Sequence, residues 1–427
     1  MMKSMFLTVF TVMLTLANAQ NYVHQAIIVN EGYYDFTNAQ IVEPVSIGSY
    51  DPSTQSYSTV NTLNGMRFAS DAIIVGDVYY VAADQKIFKF DLNTHAQLTA
   101  VDCPGVRNLA FADNKIIATR GEYLITFDSY LHVYNASDLS LIHAFSTTEG
   151  PQWATQNLVV DGSTVYVAVN NAYEFGNEKG LIGKLDLNTM TYGNEIDLGV
   201  DGKNPDNMVI DGGYIYTVNN KDWSGSSVSK VALDGSLTST VNIATASTGC
   251  GTSALRDGKI VYQISMETTL NEFDVAVMNN VGPVSGFNLI YYELAQDPVD
   301  GYLYTSETDY SSYGNVYIYG NTNTVLHNFA AGVSPGTIVF DVRSLSSVEE
   351  MGSVVEIYPN PVATQINISA HGAVKARITD LSGKLVHSSD MANGNNTLCL
   401  EGLQTGSYMC SIEFQNGKVL TRKINKL

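Results

Sequence analysis

Positive charge is scarce in this chain. Lys and Arg number 22 against 42 Asp and Glu, a formal charge of −20. So acidic a surface repels phosphate backbones and anionic membranes, which excludes nucleic acid as a partner. Charged residues of both signs reach only 15%, under the roughly 25% usual in soluble proteins. The four cysteines allow at most two disulfides. Cys399 and Cys410 are close enough in sequence to pair across a hairpin, whereas Cys103 and Cys250 fall in distant repeats and read as free thiols. Beyond the N-terminus no run approaches the ~20 apolar residues that span a bilayer, so no transmembrane segment is expected in the mature chain. Catalytic signatures are also missing: there is no HExxH, CxxC, Gly-x-Ser-x-Gly or phosphate-cradling Gly-Lys-Ser. The seven histidines form no set, because His24 precedes the first strand, His95, His132, His143 and His327 fall on outer strands or turns, and His371 and His387 in the C-terminal segment. The expectation is a non-enzymatic protein with no cofactor.

What is plentiful is tyrosine, at 26, and glycine, at 35. Uncharged polar and aromatic surface with many turns is the habit of secreted β proteins. The first residues fit export: Lys3, an apolar run from Met5 to Leu16, and Ala17-Asn18-Ala19 make a signal peptide over residues 1–19. No Cys follows the apolar run, so no lipoprotein anchor is encoded there. From Asp71, "DAIIVGDVYYVAADQKIFKFDLNTHAQL" splits into four short apolar runs, Ala72–Val75, Val78–Ala82, Lys86–Phe90 and Ala96–Val101, separated by tight turns. Copies start at Asn108, Asn157, Asn207, Thr252 and Tyr291. A period of roughly 40 to 50 residues with four strands per copy is that of a β-propeller blade. Gly336–Val342 supplies a lone innermost strand, and Ala26–Leu63 supplies three strands that lack one. Joined, they close an all-β, seven-bladed propeller over residues 20–343, with no open sheet edge. Two successive sandwiches would leave the period unexplained.

The repeated texture of an aliphatic run, Asp-Gly, a β-branched run and Asp-Leu-Asn-Thr resembles the YncE-like, surface-layer-type propellers. The opening "IIVNEGYY" from Ile27 is similar to a bacterial surface family of which some members capture cobalamin. That resemblance implies a corrinoid as ligand. Those relatives are typically lipid-anchored beside an outer-membrane transporter, and this chain departs from them in lacking the lipobox Cys.

After a polar linker over 344–353, residues 354–427 read as a small β-sandwich of alternating strands and Gly turns. Tyr358-Pro359-Asn360-Pro361, the Asp380–Lys384 turn with Gly383, Gly406 and Tyr408 in "TGSY", and a Lys-rich end resemble the sorting domain of the type IX (Por) secretion system. The resemblance implies that machinery as a partner and an outer-surface or extracellular destination.

Function is then sought in the propeller. Four strands end in polar loops that carry aromatics: Tyr33, Tyr34 and Phe36; Tyr173 and Phe175; Trp223; Tyr310 and Tyr313. In a blade, loops between second and third strands share a face with the blade-to-blade connections, which add Arg67, Phe68, Arg107, Trp153, Asn204 and Asp206. Rigid aromatic area with adaptable polar neighbours is the composition of a binding surface. The expectation is one aromatic mouth for a small-molecule, glycan or protein ligand. Trp153 serves equally well as packing between blades. Glu31, Glu122, Glu174 and Asp206 on the same face leave a glycoside hydrolase or lyase as an alternative, and calcium near Asp222 or Asp309 lacks a loop signature.

Overall fold

The computed structural model describes residues 20–249, 253–345, 355–370, 373–392, 394–414 and 419–427. The signal segment, Cys250 and linker residues 346–354 lie outside them. Residues Gln20–Ser344 form one compact unit, and Leu345–Leu427 belong to another.

In the first unit the described residues build seven sheets of propeller type. Blade 1 orders Pro335–Leu345, Gln20–Asn30, Val45–Asp51 and Ser56–Leu63 from inside out, so the end of this unit supplies the innermost strand to its beginning. Blades 2 to 7 start at Ala69, Val106, Thr155, Pro205, Ser253 and Glu293, and each runs outward in chain order. Turn chemistry explains the regularity. First-to-second-strand turns carry paired positive φ, as at Asp113-Asn114, Gly212-Gly213 and Asp257-Gly258, the geometry that matches strand twist in a two-residue hairpin. Third-to-fourth-strand turns are held by an Asx carboxyl or amide: Asp91 Oδ1 accepts from Thr94 N at 2.7 Å, Asp186 Oδ1 from Asn188 N at 2.8 Å, and Asn135 Oδ1 from Ser137 N at 2.9 Å.

The core is divided among the gaps between blades. Ile27, Ile47, Tyr79 and Phe90 join blades 1 and 2; Tyr80, Ile116 and Tyr134 join 2 and 3; Ile117, Val133, Val165 and Leu185 join 3 and 4. Corresponding clusters follow around the ring, and the last, with Ala26, Ile28, Tyr50, Tyr304, Val316 and Ile338, joins blade 7 back to blade 1. Polar bonds hold the closing strand within blade 1 and to blade 2: Gln25 Nε2 donates to Asp341 Oδ2 at 3.1 Å, and Arg343 pairs with Asp341 at 2.7 Å while reaching Asn93 Oδ1 at 2.9 Å.

The second unit is a sandwich of a three-stranded sheet (Glu356–Tyr358, Gln365–Ala370, Gly394–Cys399) and a four-stranded one (Leu385–Asp390, Ala373–Asp380, Gly406–Phe414, Val419–Lys426). Ile366, Ile368, Ile378, Ile412 and Phe414 fill its core. Its motif residues are structural staples. Asn360 bonds the last strand twice, donating to Lys423 O and accepting from Asn425 N. Asp380 Oδ1 accepts from Ser382 N and Lys384 N around Gly383 at φ 85°, and Tyr408 OH donates to Gln404 O. The Cys399–Cys410 bridge that the spacing allows is not formed. Cys399 lies exposed on one sheet and Cys410 buried on the other, both free, as is Cys103.

Candidate binding site at the propeller axis

A regular strand shows every second side chain to one face. In blades 2 to 5 the innermost strand slips register at its start, between Ala69 and Asp71, Val106 and Leu109, Thr155 and Leu158, and Pro205 and Asn207. Such a bulge re-aims the residues it contains, and here two successive side chains per strand reach the axis. These pairs, Ser70-Asp71, Arg107-Asn108, Gln156-Asn157 and Asp206-Asn207, line a cavity of about 690 Å³ together with Tyr292 and Glu293 of blade 7 and Gly336 and Thr337 of blade 1. A Cβ at Gly336 would push against the Glu31 carboxylate, which would have to move aside. The mouth is formed by connecting loops, with Tyr33, Tyr34, Phe36, Phe68, Tyr123, Tyr173 and Tyr310.

Nine of the predicted contact residues therefore meet around one cavity: Tyr33, Tyr34, Phe36, Arg67, Phe68, Arg107, Tyr173, Asp206 and Tyr310. Four do not line it. Trp153 is half-buried beneath Lys179, whose Nζ lies 4.3 Å from the ring centroid. Phe175 and Trp223 continue outward from Tyr123, with successive centroids 6.2 and 6.3 Å apart. Tyr313 begins a third strand and is 67% exposed. Asn204 is buried behind the wall.

The polar groups divide by partner. Arg67 is bound by Asp84, with Nε 3.0 Å from Oδ2, and by Glu122 at 3.1 Å, and its guanidinium lies over the Phe68 and Tyr34 rings at 5.1 and 5.9 Å. Arg107 lies over the Tyr173 ring at 5.2 Å. Its buried Nε and the Oε1 of Gln156 have no hydrogen-bond partner among the described residues. Glu174 stays outside the cavity, accepting from Asn171 Nδ2 at 2.9 Å. Asp222 and Asp309 are Asx turns bonded to Ser224, Ser311 and Ser312. No metal-holding group of three His, Cys, Asp or Glu occurs among the described residues.

Four carboxyls on the wall are displaced from their ordinary range. Burial pushes Glu31, Asp71 and Asp206 up to about 7. The opposing pulls are the 2.7 Å bond from Tyr292 OH and the Arg107 charge for Glu31, backbone N–H bonds from Leu109 and Ala72 for Asp71, and Arg107 with Asn220 for Asp206. Glu293 is raised further, by burial and then by the charges of Asp71 and Glu31. Each side chain is partly open to the cavity, but protein surrounds it elsewhere, so desolvation leads.

These acids hold protons in the native state that the unfolded chain has released, so stability is expected to fall as pH climbs from about 4.5 through about 7. His132, pushed down to about 4 by burial and by Arg120, acts oppositely, but only below its ordinary value near 6.5. Urea unfolding of the chain from Gln20 should thus give ~2 kcal/mol less stability at pH 8 than at pH 6. A stability that rises over that interval would contradict the burial of these carboxyls.

The fold and cavity define the class: an all-β propeller, joined in sequence to a β-sandwich. The sandwich is then identified directly, because residues 356–426 match the family described as the secretion system C-terminal sorting domain. The chain is accordingly exported, to the outer cell surface or beyond it, with the type IX machinery as partner. A search of curated proteins returned no match. Among solved structures, a Bacteroides fragilis protein named a "putative 6-phosphogluconolactonase" is similar at TM-score 0.53 and 13% identity, over 74% of this chain and 98% of that one. The dihydro-heme d1 dehydrogenase NirN scores 0.48 at 13% identity over 89% and 76%. BamB from Moraxella catarrhalis scores 0.45 at 11% over 82% and 97%. At these identities the first likeness bears on the fold alone, and the two lower scores carry no argument.

Sequence reasoning missed Asp71, Gln156, Tyr292, Glu293 and the three wall asparagines as site residues. A signal for them was present. They occupy the same two positions of each repeat, immediately before the aliphatic run that marks the inner strand.

Proposed function

We propose that the exported propeller captures a small amphipathic molecule in its axial cavity and does not transform it. The carrying observation is the wall itself, a polar lining contributed by six blades beneath an aromatic mouth. Arg107, Gln156 and the wall asparagines give that lining polar side chains able to fix a ligand's orientation. A flat molecule fringed with amides or hydroxyls suits this lining, and a corrinoid-like ligand is the sharpest form of the reading, in keeping with the cobalamin-capturing propellers that the opening residues resemble. A glycan- or protein-binding adhesin is the second reading. It draws on the rim, where Tyr123, Leu124 and Phe175 stand exposed outside the wall.

The test is titration of the chain from Gln20 with a corrinoid and an oligosaccharide panel, read by calorimetry and visible absorption. Phe68→Ala and Arg107→Ala should each weaken binding at least ~10-fold, about 1.4 kcal/mol. Binding indifferent to both variants would place the ligand elsewhere, and turnover of a bound sugar would replace capture with catalysis.

A further inference from the structure

We infer that the ligand group entering the axial cavity is a cation, an organic ammonium, while the flat or apolar remainder of the molecule lies against the aromatic mouth. This deepens the capture reading and rests on it.

The cavity is lined by five carboxyl side chains and two arginines. One of those arginines, Arg67, is already consumed by Asp84 and Glu122. That leaves Arg107 facing Glu31, Asp71, Asp206 and Glu293. Three of the four are partly satisfied by the protein, through Tyr292 OH, the Leu109 and Ala72 amides, and Asn220 Nδ2. The Glu293 carboxyl accepts no hydrogen bond from the described residues, and its electrostatic neighbours are two further acids. A wall that sets four carboxyls against the single Arg107 is completed by a ligand that brings positive charge. Above pH 7, where these acids begin to ionise, an anionic head would meet them at close range and be repelled.

The mouth independently favours the same charge. Its rings already hold cations of the protein, Arg67 over Phe68 and Tyr34 and Arg107 over Tyr173, which is the attraction an aromatic face offers to any ammonium. The overall charge of −20 steers cations toward the surface.

Binding is coupled to protons. An ammonium among Glu31, Asp71, Asp206 and Glu293 favours their ionised forms, so protons leave as it enters and affinity strengthens as pH rises. The other charged groups facing them are Arg107 and, at the mouth, Arg67 with Glu122 and Asp84. Arginines keep their charge throughout this range.

Three probes of one shape decide the matter: tryptamine, its alcohol tryptophol, and indole-3-acetate, titrated calorimetrically into the chain from Gln20 at pH 6 and pH 8. At pH 8 tryptamine should bind at least ~10-fold tighter than tryptophol, and indole-3-acetate should not bind. Tryptamine affinity should rise ~10-fold or more between the two pH values, while that of tryptophol should not rise. Glu293→Gln should remove ~10-fold from tryptamine affinity and leave tryptophol unchanged; Asp206→Asn gives the same reading where the first variant melts early. Equal affinity for the three probes, or no pH dependence, overturns the inference. If a corrinoid or oligosaccharide binds and responds to Phe68→Ala while tryptamine does not bind, capture stands and the cation fails. If no probe in either experiment binds, both fail.

Discussion

A chain ended at Ser334 is expected to lose the propeller's cooperative fold, whereas a chain ended at Leu345 keeps it. The eleven residues between them are the innermost strand of blade 1. Without them that blade is left with three strands, and Ile338 is withdrawn from the cluster that joins blade 7 to blade 1. The exposed second strand would then present unpaired backbone groups at an open edge. The Gln25–Asp341 and Arg343–Asp341 bonds go with the same strand. The longer chain should melt in one sharp calorimetric transition, and the shorter should aggregate or show none. Ile338→Ala is the graded version: the side chain is 4% exposed, and removing it should cost ~2–5 kcal/mol. A cooperative transition in the chain ended at Ser334 would show that the ring does not depend on its closing strand.

Removing residues 356–427 is expected to abolish appearance at the cell surface and in the medium, with the propeller retained inside the outer membrane. The region deleted carries the whole match to the sorting domain. The propeller unit carries its own buried clusters, so the retained protein should still melt as a propeller. Surface protease accessibility and fractionation provide the readout. Export at the level of the intact chain would mean that the sorting domain is dispensable.

The blade pattern was legible because tight turns are written in local residues. Gly76-Asp77 separates two strands where expected, and Lys86–Phe90 falls within the observed Lys86–Asp91. The inner strand expected at Ala72–Val75 instead runs from Ala69. The difference has a physical cause: the register slip at Ala69–Asp71 hides the first residues from any two-residue periodicity, and those residues are the ones that build the wall. The same effect conceals Gln156 and Asn157. Loop aromatics were easier to find, since exposure of a ring in a polar segment is conspicuous, but their direction was not. Phe175 and Phe36 come from comparable loops and are 68% and 78% exposed, yet only Phe36 lines the cavity. Arg67 read as a ligand contact, and its ion pair with Asp84 depends on a residue 17 positions away that no local pattern marks.

The central claim is that the axial cavity is where a ligand binds. Its most direct test is a plug: Gln156→Trp, which fills the cavity from the wall where Gln156 Oε1 stands without a partner among the described residues. The strongest binder from the panels is titrated into this variant and the unaltered chain, with melting temperatures measured alongside. The account predicts at least ~30-fold weaker binding, about 2 kcal/mol, at an unchanged melting temperature. Full affinity in the plugged protein would contradict it.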